Sequence, residues 1–241
     1  MNRRSVKCIL GIVALAVVES ASAGFTWSGT GTGNDGSGLA ASAAFDIVNG
    51  ELQVTIANTA TVPTSHAANV LTAVYFTGAA GVTGVDTEYI PKDSKVFHNT
   101  DGAITLSSDT FLPTSFFEVK AEQWQFKFKN STDGLGSAGL GFFNGGAVSK
   151  DGLVSKTYTP TDGLSHDGDV VFENSIVIRL SGFTGQLSDI SNVKFQYGTT
   201  TGDPSFVGTV VPESSTYIAG AFLLLPFGMS ALRVLRKDRI A

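Results

Sequence analysis

The sequence predicts an all-β fold: an antiparallel β-sandwich of jelly-roll type, flanked by an N-terminal signal helix and a C-terminal single transmembrane helix. Three observations point there. Apolar residues in the middle of the chain recur at every second position. Asn-Gly and Asp-Gly pairs punctuate those runs. An apolar run bordered by basic residues stands at each end. The chain accordingly divides into a signal peptide (1–23), an exported β domain (24–210) and a C-terminal tail (211–241).

The first element is an export signal. Arg3, Arg4 and Lys7 make a positive start, residues 8–18 form an apolar run, and Glu19 and Ser20 break it. Ala21-Ser22-Ala23 supplies the small-x-small pattern of a cleavage site, with Gly24 as the first residue after the cut. Eleven helical residues reach only about 16 Å against a hydrocarbon core of roughly 30 Å, so the run reads as a cleaved signal and not as an anchor. Sec-type export machinery and signal peptidase are the partners such a segment needs. Cys8, the single cysteine, lies inside it. The remaining chain then has no thiol, which excludes a disulfide framework, a Cys nucleophile and Cys-ligated zinc. Ser5-Val6-Lys7 before Cys8 lacks the small and apolar residues of a lipid-attachment site.

The middle reads as strands. Leu52, Val54 and Ile56 alternate with Gln53 and Thr55; Trp124, Phe126 and Phe128 with Gln125 and Lys127. Ile176, Ile178 and Leu180 alternate with Val177 and Arg179; Val193, Phe195 and Tyr197 with Lys194 and Gln196. A period of two sends one apolar face inward and one polar face to solvent. Residues 70–76 are apolar on both faces, as expected of a central strand. Asn49-Gly50 joins residues 41–48 to 51–58 by a two-residue turn of type I′. Asp101-Gly102, Asp133-Gly134, Asn144-Gly145, Asp151-Gly152 and Asp162-Gly163 are read as further turns. No long stripe of period 3.6 interrupts this pattern, and two packed antiparallel sheets are the natural solution.

Charge limits the partners. Between Gly24 and Pro212 the chain holds 9 basic and 18 acidic residues, a net charge near −9. Such a surface repels phosphate backbones, so nucleic acid is excluded as a partner.

The last element has three parts. Val211, Pro212, Glu213, Ser214, Ser215 and Thr216 form a polar segment that proline keeps extended. Residues 217–232 are an apolar run, about 24 Å long as a helix. Arg233, Arg236, Lys237 and Arg239 follow as a basic stop that stays in the cytoplasm, leaving the β domain outside. This tripartite tail resembles the PEP-CTERM sorting signal of Gram-negative bacteria, whose motif reads Val-Pro-Glu-Pro-Ser-Thr; Ser214 stands where that motif has its second proline. Residues 188–199 look like the last strand found in proteins of this class. Residues 38–45 and 52–59 look like their opening strands. The resemblance implies recognition by exosortase, transient residence in the inner membrane and delivery to the cell surface or an extracellular polysaccharide matrix. It assigns no activity to the β domain.

Chemistry-bearing residues are few, and no cofactor is indicated. His66, His98 and His166 lack a metal-binding spacing, and His66 and His98 fall in polar, loop-like stretches. Asp162, Asp167 and Asp169 are a weak calcium candidate without the EF-hand spacing, and a turn cluster is the plainer reading. Asn34-Asp35-Gly36 is similar and reads as a hairpin turn or chain start. Gly31, Gly33 and Gly36 spell Gly-x-Gly-x-x-Gly, but an alanine-rich strand follows instead of a helix, which rules out a dinucleotide site. Glu118 and Glu122 qualify as a hydrolytic carboxylate pair by residue type alone, and no Gly-x-Ser-x-Gly elbow exists. Trp27, Trp124, Phe116, Phe117, Phe142 and Phe143 could stack on sugars if exposed, although the spacing of Trp124 favours core packing. The expected function is a non-enzymatic surface or matrix protein. A carbohydrate-binding or adhesive module is the alternative, and a hydrolase the third reading.

Overall fold

The computed structural model describes residues 24–91, 94–100, 103–106, 116–119, 124–129, 131–137, 152–158, 170–200 and 202–211. In chain order the strands are β1 (Phe25–Thr32), β2 (Gly38–Val48), β3 (Glu51–Asn58), β4 (Leu71–Thr77), β5 (Gly84–Pro91), β6 (Val96–Thr100), β7 (Ala103–Leu106) and β8 (Phe116–Val119). They continue as β9 (Gln125–Lys129), β10 (Thr132–Gly136), β11 (Gly152–Val154), β12 (Val170–Glu173), β13 (Ser175–Ser181), β14 (Ser191–Tyr197), β15 (Ser205–Val207) and β16 (Thr209–Val211). One sheet runs β16-β1-β2-β3-β13-β5-β8. The other runs β15-β14-β4-β11-β12-β6-β7, with the β9–β10 hairpin added to β4 through β10. The protein is thus an all-β sandwich, and among the described residues no helix is long and apolar enough to cross a membrane.

The period of two in the sequence becomes the core. Ala41, Ala43 and Phe45 of β2, Leu52, Val54 and Ile56 of β3, and Ile176, Ile178 and Leu180 of β13 are all buried. They meet Val74 and Phe76 of β4 and Val193, Phe195 and Tyr197 of β14 from the opposite sheet. Phe45 and Phe76 touch edge to face at 5.1 Å across the sandwich, a geometry that adds about 0.5–1.5 kcal/mol beyond area burial. The central strand expected over 70–76 is β4, flanked by β14 on one side and by β10 and β11 on the other. Asn49 and Gly50 both take positive φ (56° and 84°), and Val48 pairs with Glu51, as a type I′ turn requires. Thr100 pairs with Ala103 on either side of Asp101-Gly102.

Five expectations need correction. The sheets are not purely antiparallel, because β11 and β12 run parallel. Asp133-Gly134 is not a turn but lies inside β10, and the chain reverses instead at Ser131 (φ 62°), between the paired Lys129 and Thr132. His98 lies in strand β6, paired with Val170 and Thr105, and not in a loop. Residues 38–45 do not open the sandwich, since β1 precedes them. Nor does 188–199 hold the last strand, since β14 is followed by β15 and β16. The last two segments are bound together. Phe206 of β15 lies over β1, where a Cβ on Gly29 would stand 2.9 Å from its ring and one on Gly31 closer still. The chain then crosses from one sheet to the other at Gly208 and lays β16 along β1.

Candidate functional site

Two features of the sandwich face solvent with more than ordinary chemistry. The first is the corner where the described chain begins and ends. Thr26 of β1 pairs with Val211, the last residue of β16. Phe25 pairs with Phe45, so Gly24 and Val211 leave the same end of neighbouring strands. Phe25 (38% exposed), Val210 (44%) and Ile47 (37%) share the parity of the inward-facing Trp27, Phe45 and Leu52, yet they remain open. This end of the first sheet is therefore only partly covered. Val211, at 41% exposed, stands on the opposite face. The residue read as the first of the sorting motif thus also serves the sheet.

The second is a cleft of about 420 Å³ between the loop 78–82 and the β9–β10 hairpin, lined by Phe126, Phe128, Ser131 and Asp133. Gly78 allows it: its φ is +102°, and a side chain there would meet the Asp189 carbonyl. Asp133 is almost fully buried, and its Oδ2 accepts the Ala79 amide at 2.9 Å. Loss of solvent raises its carboxyl above the usual carboxylate range, opposed by bonds from the Ala79 and Gly78 amides. The Phe128 ring at the cleft edge is 68% exposed. Lys127 and Lys129 alternate with it, and the apolar face that packs at Phe126 is open to solvent by Phe128.

The sequence-selected residues distribute unevenly. Trp124 is buried to 1% exposure, and Trp27 is partly buried against the core, so neither offers a sugar-stacking platform. Glu118 lies in β8, paired with Tyr89. His66 is exposed, its Nδ1 accepting the Ala68 amide at 3.4 Å. Asp35 sits in the β1–β2 turn. The Ser37 hydroxyl, then the Ser37 amide and the Asn69 amide group, hold its carboxyl down at about 2, with Ser37 N and Asn69 Nδ2 each 3.0 Å away. Its oxygens are thereby engaged by the turn and by Asn69. Among the described residues no group of three His, Cys, Asp or Glu could hold a metal. Ala21, Ala23, residues 212–216, Arg233, Arg236, Lys237 and Arg239 lie outside the described residues. So do Asp162, His166, Asp167, Asp169, Glu122, Phe142 and Phe143.

Three buried acids escaped the sequence reading. Glu88 Oε1 accepts the Trp124 amide at 2.8 Å. Glu173 pairs with Lys95 at 3.1 Å. Asp133 caps the 78–82 loop. All three look like ordinary solvent-facing strand or turn acids in sequence, and only the distant partner reveals the role.

No family model and no curated protein matches the chain. Among solved structures, Clostridium perfringens delta-toxin aligns over 79% of this chain and 86% of its own at 12% identity, with a TM-score of 0.21. So low a score carries no argument about fold or function.

Proposed function

We propose that this chain is an exported, non-enzymatic surface or extracellular-matrix protein, a substrate of exosortase processing at its C-terminal sorting signal. In this reading a signal helix and a single transmembrane helix flank a jelly-roll-like sandwich. The observation that carries it is the position of the tail. The β domain is completed by β16, whose last residue, Val211, is followed at once by the polar segment, the apolar run 217–232 and the basic stop. Among the described residues β16 is an edge strand of its sheet, so in this reading the cut falls just past the last described strand. Sec-type machinery and signal peptidase would act at Ala23, exosortase within 212–216, and the inner membrane would hold the protein only in between. Intact-mass measurement and peptide mapping of the protein recovered from the surface fraction test this. A mass that begins at Gly24 and ends within 212–216 is the expected result. Recovery of peptides from 217–239 in the mature protein would refute processing.

The cleft favours a second reading, a carbohydrate-binding or adhesive module of the surface or biofilm matrix. An exposed aromatic ring beside a buried carboxylate is a workable sugar platform. Phe128→Ala should abolish retention on a glycan array, and a variant that binds as well as the parent removes this reading.

A further inference from the structure

Of the seven large apolar residues that are exposed among those described, four (Phe25, Ile47, Val210 and Val211) stand at the one corner where the β domain meets both of its end segments. We propose that this corner is a lipid-contact surface, by which the tethered sandwich rests on the headgroup region of the bilayer. The proposal rests on the reading of 217–232 as membrane-inserted, and adds an orientation and an interface to it.

Register supplies the geometry. Phe25 is opposite Phe45, so Ile47 is its diagonal neighbour on β2. Val210 is opposite Trp27, which makes it the diagonal neighbour of Phe25 on β16. Diagonal neighbours on one face lie about 7–8 Å apart, so the three side chains form a continuous oblique row. All three side chains of the row are exposed to solvent over more than a third of their surface. Isolated apolar residues on a surface are ordinary, whereas a contiguous group is a mark of an interaction site.

The tether decides the occupant. Only the five residues 212–216 separate Val211 from the start of the apolar run. Fully extended they span at most about 17 Å. The headgroup layer on one side of a bilayer takes up roughly 5–7 Å of that reach. A sandwich held so closely by this corner cannot turn it away from the membrane. The nearby acids do not oppose contact, because Asp46 and Glu51 alternate with Phe45, Ile47 and Leu52 and so point from the other face. With no cation among the row, attraction comes from burying apolar side chains in the interface, and the lipid charge matters little.

The test uses the full chain with Cys8→Ser, so that an introduced cysteine is the only thiol. A nitrobenzoxadiazole label is placed on Ile47→Cys, on Phe25→Cys, and on Val62→Cys, which lies beyond the far end of β3 from the corner. Each protein is reconstituted into phosphatidylcholine vesicles and into phosphatidylethanolamine–phosphatidylglycerol vesicles. The labels at 47 and 25 should shift to the blue and gain intensity in both lipids, with no change at 62. Equal behaviour at 47, 25 and 62 overturns the proposal. So does a gain at 47 that needs no vesicles and rises with protein concentration, which would assign the surface to a second copy. Failure of the chain to float with vesicles at all would instead defeat the tail reading beneath it. The two labelled corner positions guard against misfolding of either one.

Discussion

Tyr197 is the residue on which the joining of the two sheets can be measured most cleanly. Its ring is buried in β14 and packs on Phe206 at 5.6 Å. Its hydroxyl crosses the sandwich and donates to the Ala40 carbonyl of β2 at 2.9 Å. Burial, opposed by that bond, raises the phenol well above its usual range, so it stays protonated. Tyr197→Phe deletes the hydroxyl and nothing else. The Ala40 carbonyl still accepts the Thr59 amide at 2.8 Å, so no acceptor is orphaned. The cost should therefore be that of one net hydrogen bond, about 1 kcal/mol within a range of about 0.5–1.5. For a domain of this size that lowers the melting temperature by about 2–4 °C. Tyr197→Ala removes the ring as well and should cost about 3–5 kcal/mol. Urea unfolding of residues 24–211, followed by the fluorescence of Trp27 and Trp124, reads both. If the Phe variant matches the parent, or falls as far as the Ala variant, the inter-sheet bond is not what the geometry says it is.

Other predictions separate the polar roles. Asp133→Ala strands the buried Ala79 amide and should cost about 1–3 kcal/mol, whereas Asp133→Asn keeps an acceptor and should cost less; thermal melts compare them. Burial places the folded-state proton affinity of Asp133 above that of the unfolded chain. Its contribution is therefore greatest at acid pH and declines as pH rises from about 4 through the raised value, a slope that Asp133→Asn should remove. Asp35 has the opposite sign. Its carboxyl is held at about 2, so its contribution is present above the unfolded value near 4 and fades as pH falls toward 2. Because Asp35 is exposed, the effect is small, and melts of Asp35→Asn between pH 4 and 2 should be slightly flatter than those of the parent. Phe128→Ala should leave the unfolding midpoint almost unchanged, since the ring is mostly in water; a large loss would make it a core residue.

The strands that alternate cleanly were legible because their partners are generic: any apolar layer satisfies Leu52, Val54 and Ile56. The Asn49-Gly50 turn was legible because its positive φ angles are a local demand. β1 was not. Its sequence, FTWSGTGT, carries glycine where a strand would hold β-branched residues, and the cause lies about 175 positions away, in the Phe206 ring that occupies the space a Cβ would need. Asp133-Gly134 misled for a related reason. The carboxylate serves the amides of a loop in another part of the chain, and residue type alone cannot tell a turn former from a distant cap. For the candidate sites the split is the same. The proposed tail rests on composition alone, while the cleft depends on a loop and a hairpin about 50 residues apart in the chain.

The pairing of Thr26 with Val211 and the packing of Phe206 on β1 have a consequence in time. The first strand of the sandwich is finished by its last two, so roughly the whole domain must be present before that edge can close. Contacts of such long sequence separation form slowly. A chain threaded residue by residue through a narrow passage, amino end first, would reach the far side still open, and would lock only when its final strand emerged. The fold carries its own delay.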